Sequence, residues 1–438
     1  MSLTTELSVE EHLVTTLLAQ RRGELLDLTA SLIAFDTTAS TREDVGGDET
    51  ALQGLLAERL ERGGFAVDVF APRPEDLPPS PMLPAELDLS ARPQLIARLG
   101  GVGGGRDLLL NGHVDVASAE PRTAWSSDPF VARVRDGRLY GRGACDMKGG
   151  VAAMVLAAEA LAELEIPLRG DLIVNTVTDE ESTGAGALAC IARGLRADGC
   201  LVPEPTSGEV WLGSRGVLLA ELEVHGVAGH TGLARGDALT GGGVGAIEPV
   251  FGVLSALREL REEWWRASVP GESPGWIVPT HIAAGEWIVT YPERCRVALH
   301  VTFSPQQADA DGWGTAVRRQ VEERVRAAAR ADPWLRLRPP VLRWSTQVPA
   351  ATVDAEAPIV TTALGSAQAL RHRAEIATRT TWLDTASFTR AGTPAIGLGP
   401  GDIEVAHTID EWVEAEELVR AAQLLAVCAM RFCGVDSQ

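Results

Sequence analysis

The run DLIVNTVT, residues 171–178, is almost unbroken in apolar and β-branched side chains. A strand of that composition has to be covered on both faces, as strands are in parallel sheets. The stretch before it, GGVAAMVLAAEALAEL from Gly149 to Leu164, reads as a buried helix. QLIARL and DLLLNGHVDV are two further β-rich runs, and helix and strand alternate through about residue 215. This order predicts an α/β fold with a mostly parallel central sheet and helices on both faces. Upstream, residues 6–34 and 48–63 have helical spacing, and Gly63-Gly64 is a natural stop.

The chain has 438 residues, and single cores stop growing at roughly 250–300 residues, so two domains are expected. The texture changes at Val217. LLAELEVHGV, WIVPTHIAA and CRVALHVTF alternate apolar and polar, the pattern of strands with one wet face. Helical stretches lie between them, around 245–267 and 313–330. The α/β texture returns in APIVTTALGSAQAL and TPAIGLGPG and ends in a helix from Val413 to about Phe432. The reading is therefore an α/β domain in two pieces, 1–215 and 348–438, with an α+β domain, 216–347, inserted between them. The glycines from Gly100 to Gly105 lie between two strands, which is the wrong context for a phosphate-cradling loop. DLPPSPMLPAELD, residues 76–88, reads as a surface loop.

Sixty acidic residues against 39 basic ones give a formal net charge of −21. That balance disfavours nucleic acid and anionic membrane surfaces as partners. No apolar run reaches the roughly 20 residues needed to span a bilayer. The N-terminus, MSLTTELSVEEHL, lacks the basic and apolar regions of a signal peptide, so a cytoplasmic protein is expected. Cys145, Cys190, Cys200, Cys295, Cys428 and Cys433 form no CxxC pair, which argues against a zinc knuckle or a disulfide framework. Lys148 is the only lysine and falls inside GRGACDMKGG.

His, Asp and Glu residues recur at the ends of apolar strands. His113 and Asp115 form H-x-D after LLLNG, Asp146 follows RLYGRG, Glu180 and Glu181 follow IVNTVTD, Glu204 sits in VPEPT, and His407 sits in VAHTIDEW. Each alone has an ordinary reading: H-x-D is common, paired glutamates usually make a solvated turn, and a lone histidine can cap a helix. Ligands of open α/β sheets gather at the carboxyl ends of the strands, so five segments deliver carboxylate or imidazole groups to one edge. Divalent cations want this mixture of ligands.

The strings LLLNGHVDV, DGRLYGRGACDMKGG, TVTDEES, VPEPT, GSRG, HGVAGHT and AHTIDEWV resemble those of the acetylornithine deacetylase, succinyl-diaminopimelate desuccinylase, aminoacylase and carboxypeptidase G family. The likeness spans nearly the whole chain, and GEWIVTYPERCRV is similar to the deacetylase-like branch. It implies a cofactor of two divalent ions, zinc first, with cobalt or manganese as alternatives. His113, Asp146 and Glu204 would hold one ion, and Asp146, Glu181 and His407 the other. Asp115 would accept the second ring N–H of His113, and Glu180 would be the general base. The family also implies a cis peptide after Asp146 and a homodimer through the inserted lid domain. In that dimer His230 would reach the partner's site as an oxyanion donor. His12, His225, His281, His300 and His372 are read as structural.

Several relatives place an asparagine just before the lid proline and an arginine about ten residues after it, to grip a substrate carboxylate. Here Val289, Thr290 and Tyr291 precede Pro292, and the nearby arginines are Arg294 and Arg296. The expected activity is hydrolysis of the amide of an N-acylated amino acid or similar small amine. A dipeptidase or carboxypeptidase is the rival within the family, and a binding protein that kept the fold and lost the chemistry is the rival outside it.

Overall fold

The computed structural model describes residues 6–39, 47–84, 87–232, 242–268, 274–373, 375–377 and 381–436. They fall into two compact units. One is built from Met1–Gly213, Thr352–Ala377 and Leu383–Gln438, the other from Ser214–Ala351 and Thr378–Trp382.

The first unit is an α/β sandwich. Its sheet runs in the order Ala66–Phe70, Gln94–Leu99, Leu172–Val177, Leu108–His113, Gly199–Val202, Ala395–Gly397, Val210–Trp211, Ile376–Ala377. The central strands are parallel: Leu108–His113 pairs in that sense with Leu172–Val177 and Gly199–Val202, and Ala395–Gly397 pairs with Gly199–Val202. Ala66–Phe70 and Gln94–Leu99 add an antiparallel margin. Leu108–His113 and Leu172–Val177 are buried at every position, so both faces of the sheet are covered, as their apolar runs demand. Lys148–Glu163, Ala415–Cys433, Pro358–Ala369, Val9–Gln20 and Arg22–Ile33 pack on one another, while Ala185–Ala192 packs on Thr385–Arg390. Each fully buried leucine or isoleucine in this core contributes roughly 1.5–3 kcal/mol.

Two local departures from the sequence reading have simple causes. The helical stretch 6–34 breaks at Arg21 (φ −84°, ψ 15°), whose guanidinium binds Glu24 and Glu163. The last helix begins at Ala415, because Trp412–Glu414 is spent on a short strand antiparallel to Arg138–Tyr140. Two of the glycines near residue 100 are required by close packing. A Cβ on Gly105 would lie 2.1 Å from the Cys433 carbonyl oxygen, and one on Gly101 would lie 2.5 Å from Gly170.

The second unit is an antiparallel sheet in the order Trp276–Ala284, Arg294–Phe303, Gly216–His225, Val341–Val348. Helices Ile247–Ala267 and Thr315–Ala331 pack together, and alternate residues of Gly216–His225 and Arg294–Phe303 complete the core beneath them. Trp276–Ala284 lies at the sheet's edge and is exposed from Pro279 onward. Pro279 is tolerated there because an edge strand has amides with no ladder partner.

Candidate metal centre

Each acidic or imidazole group of the site sits where a strand of the first unit has just ended. His113 closes Leu108–His113. Asp146 lies in the turn between Arg138–Tyr140 and the helix Lys148–Glu163, and the Asp146–Met147 peptide is cis. Glu180 and Glu181 follow Leu172–Val177, Glu204 follows Gly199–Val202, and His407 follows the turn after Ala395–Gly397. His113, Glu180, Glu181 and Glu204 follow parallel strands whose carboxyl ends point the same way, and Asp146 and His407 arrive there on turns.

Asp146 is the hinge of the arrangement. Its Oδ1 lies 3.0 Å from His113 Nε2 and its Oδ2 3.3 Å from His407 Nε2. Glu204 Oε1 stands 3.7 Å from His113 Nε2, and Glu181 Oε2 3.1 Å from His407 Nε2. The ligand atoms of His113, Asp146 and Glu204 all lie within 4.8 Å of one another, as do those of Asp146, Glu181 and His407. Glu180 Oε2 is 4.0 Å from His113 Nε2. His113 is buried and His407 is exposed, so the cluster is open on the His407 side.

Electrostatics say what such a cluster needs. Burial pushes the Glu204 and Glu180 carboxyls well above the usual range, and the neighbouring carboxylates push in the same direction. Burial opposes charge on His113, yet Asp146, Glu204 and Glu180 together hold its pKa well above the ordinary value. Hydrogen bonds that His407 donates to the Asp146 and Glu181 carboxylates push its pKa up to about 10. Four carboxylates against two imidazoles leave the site short of positive charge. The two triads sharing Asp146 therefore fit a pair of divalent cations, each offered one imidazole nitrogen and carboxylate oxygens.

Asp115 divides its contacts between its main chain and its carboxylate. The ring Nδ1–H of His113 donates to the Asp115 backbone carbonyl at 2.8 Å, and the Asp115 carboxylate lies 3.7 Å away. That carboxylate is engaged elsewhere: it accepts the backbone N–H groups of Glu180 (3.2 Å) and Glu181 (3.1 Å). It therefore fixes the turn that presents both glutamates, while its main chain fixes the imidazole. His230, expected as an oxyanion donor, belongs to the second unit. Its ring is exposed, and Nδ1 accepts the Gly232 amide at 3.0 Å, which leaves Nε2–H as the donor.

Several supporting residues escaped the sequence reading. Glu411 is fully buried. Its Oε1 accepts the amides of Cys145 (2.8 Å) and Asp146 (3.1 Å), and its Oε2 pairs with Arg142. Arg92 is buried beneath the Glu180 turn, paired with Glu49 at 2.7 Å and with Asp179. Asp384 is buried behind His113. It accepts from Asn111 Nδ2 at 3.2 Å, and burial raises its pKa to about 7. The position of Glu411 in AHTIDEWV, beside a site histidine, was a usable signal; Arg92 and Asp384 offered none. The lone lysine, Lys148, is buried and donates from Nζ to the Phe35 carbonyl at 2.8 Å.

The pattern of the peptidase family M20/M25/M40 matches residues 109–431, which include the whole cluster. The chain belongs to this family. One M20 relative, the N-formyl-4-amino-5-aminomethyl-2-methylpyrimidine deformylase of Bacillus subtilis (strain 168), is 30% identical over 97% of this chain and 96% of its own length. The succinyl-diaminopimelate desuccinylase of Stenotrophomonas maltophilia (strain R551-3) is 34% identical over 64% of this chain and 68% of its own. Human carnosine dipeptidase 1 shares the M20 fold with a TM-score of 0.72 at 16% identity, over 97% of this chain and 99% of that one. A dinuclear metal-binding M20 peptidase from Bacillus subtilis aligns over 94% of this chain and 98% of its own, with a TM-score of 0.59 at 14% identity. The protein is accordingly a metal-dependent hydrolase of amide C–N bonds, as its sequence motifs implied. Among its described residues, no helix is long and apolar enough to cross a membrane.

Proposed function

We propose that this enzyme removes the acyl group from a small N-acylated amine. The observation that carries the reading is the pair of ligand triads sharing Asp146, with the Glu180 carboxylate 4.0 Å from the His113 ring. His113, Asp146 and Glu204 would hold one cation and Asp146, Glu181 and His407 the other, zinc in the first instance, with cobalt or manganese as substitutes. Bound there, the cations would polarise the amide carbonyl and acidify a water. Glu180, the carboxylate in reach that neither triad uses, takes the proton of the attacking water and delivers it to the leaving nitrogen. Asp115 keeps Glu180 aimed through its backbone amide.

Two features favour an amine without a carboxylate. A relative aligned over 97% of the chain is named for removing formyl from an aminomethylpyrimidine, and Val289, Thr290 and Tyr291 stand just before Pro292, where the family resemblance implies a carboxylate-gripping asparagine. We further propose a homodimer through the second unit, supported by its exposed edge strand and its exposed Phe251, Trp265 and Trp276. In that dimer His230 would act on the partner's site as an oxyanion donor. Six free, buried cysteines suit a reducing, cytoplasmic setting. The test is a panel of N-formyl and N-acetyl amines, N-acyl amino acids and dipeptides against zinc-, cobalt- and manganese-loaded enzyme. Turnover of the carboxylate-free amides is expected. Turnover confined to dipeptides would replace this reading with the dipeptidase one, and no turnover with any of them would overturn it.

A further inference from the structure

A cavity of about 230 Å³ lies in the first unit, and none of its lining residues belongs to the metal centre. Its floor is apolar: Leu398, Ala421 and Leu424 are buried there. Its rim carries Arg371, His372, Arg373 and Arg420, against the single carboxylate of Glu417. In a chain of net charge −21, that concentration of cations is out of character. Arg373 is compensated by Glu209 at 3.0 Å and Glu375 at 2.9 Å. Glu417 is engaged with the Gly401 amide at 3.0 Å. Among the described residues, neither Arg371 nor Arg420 pairs with a carboxylate. Burial and the charge of Arg420 hold His372 below the ordinary histidine range.

Arg371 adds a second observation. It sits just past the helix Pro358–Ala369 with φ 58°, in the left-handed region where glycine is the unstrained choice. An arginine kept in that conformation at a cavity mouth points to use of its side chain. The volume matters too. It is smaller than the roughly 300–1,000 Å³ of drug-sized pockets and equals about eight waters at ~30 Å³ each.

We propose that this cavity binds a small organic anion, its apolar body on Leu398 and Leu424 and its phosphate or carboxylate between Arg371 and Arg420. The test is calorimetric titration of the metal-loaded full chain with phenyl phosphate, with phenol and inorganic phosphate as half-ligands. Phenyl phosphate should bind with one equivalent assigned to the cavity and at least tenfold more tightly than either half. The double variant Arg371→Gln/Arg420→Gln should lose that equivalent by tenfold or more, with amide turnover unchanged. Arg420→Glu, a single exposed change, provides the same test if the double variant folds poorly. Unchanged affinity in the variants would overturn the proposal, because the ligand would then be sitting at the metal centre or elsewhere. Failure of phenyl phosphate to bind wild-type enzyme would overturn it equally.

Discussion

Adjacent glutamates with separate duties are the sharpest feature at the scale of single residues. Glu181 lies 3.1 Å from His407, whereas Glu180 reaches His113 and belongs to neither triad. Glu180→Gln should therefore retain both metal equivalents and lose turnover by about 10²–10⁴-fold, since an amide cannot take the proton. Glu181→Gln should lose about one equivalent. Metal analysis beside steady-state kinetics separates the two, and equal metal loss in both would refute the division. Glu411 makes a different prediction. Glu411→Gln leaves buried Arg142 without its counter-ion, which costs about 3–5 kcal/mol. Thermal or urea unfolding should register that loss. The residues of the two triads were legible because most follow an apolar strand and each lies within a recognisable string. The hold of the Asp115 carboxylate on the Glu180–Glu181 turn was not legible, because H-x-D gives a spacing but not a direction and only the fold brings that turn back to it.

The helix Lys148–Glu163 shows how an element's fit controls the site. It is buried over nearly its whole length and begins beside Asp146. Gly150, in its first turn, lies against the chain that leads into Glu204: an added Cβ would fall 2.0 Å from the Pro203 carbonyl oxygen. Gly150→Ala should therefore force helix and strand end apart at a cost of about 1–3 kcal/mol, despite alanine's better helix propensity. The expected result is a lower melting temperature together with easier removal of metal by chelator. An unchanged or raised melting temperature would show that the contact relaxes freely. The helix itself was evident from its apolar spacing. Its need for glycine was not, because that need comes from Pro203, more than fifty residues away in the chain.

For the whole molecule, stability and assembly both follow from charge and exposed surface. Removing the cations leaves four carboxylates facing one another, so chelation should lower the melting temperature, and returning zinc should restore it by mass action. A melting temperature indifferent to chelator would count against the two-cation reading. The proposed dimer is tested by mixing. His230→Ala should reduce turnover about 10²–10³-fold, the usual loss for one oxyanion donor, with metal content intact. Mixed with Glu180→Gln subunits, it should regain activity if His230 serves the partner's site, since a mixed dimer then holds one complete centre. No recovery after demonstrated subunit exchange would place His230 within its own chain or outside the reaction.

By itself the sequence determined the strands, the helices and the residues that close the strands, because apolar periodicity and breaker residues act over a few positions. It therefore determined the parallel sheet and the set of candidate metal ligands. The tertiary structure alone decided what lies beneath and beside that set: the Arg92 and Glu411 ion pairs, the hold of Asp115 on the glutamate turn, and the cationic cavity at Arg371 and Arg420. Each of these joins segments far apart in the chain. A buried charge reveals its partner only after folding has removed water from both.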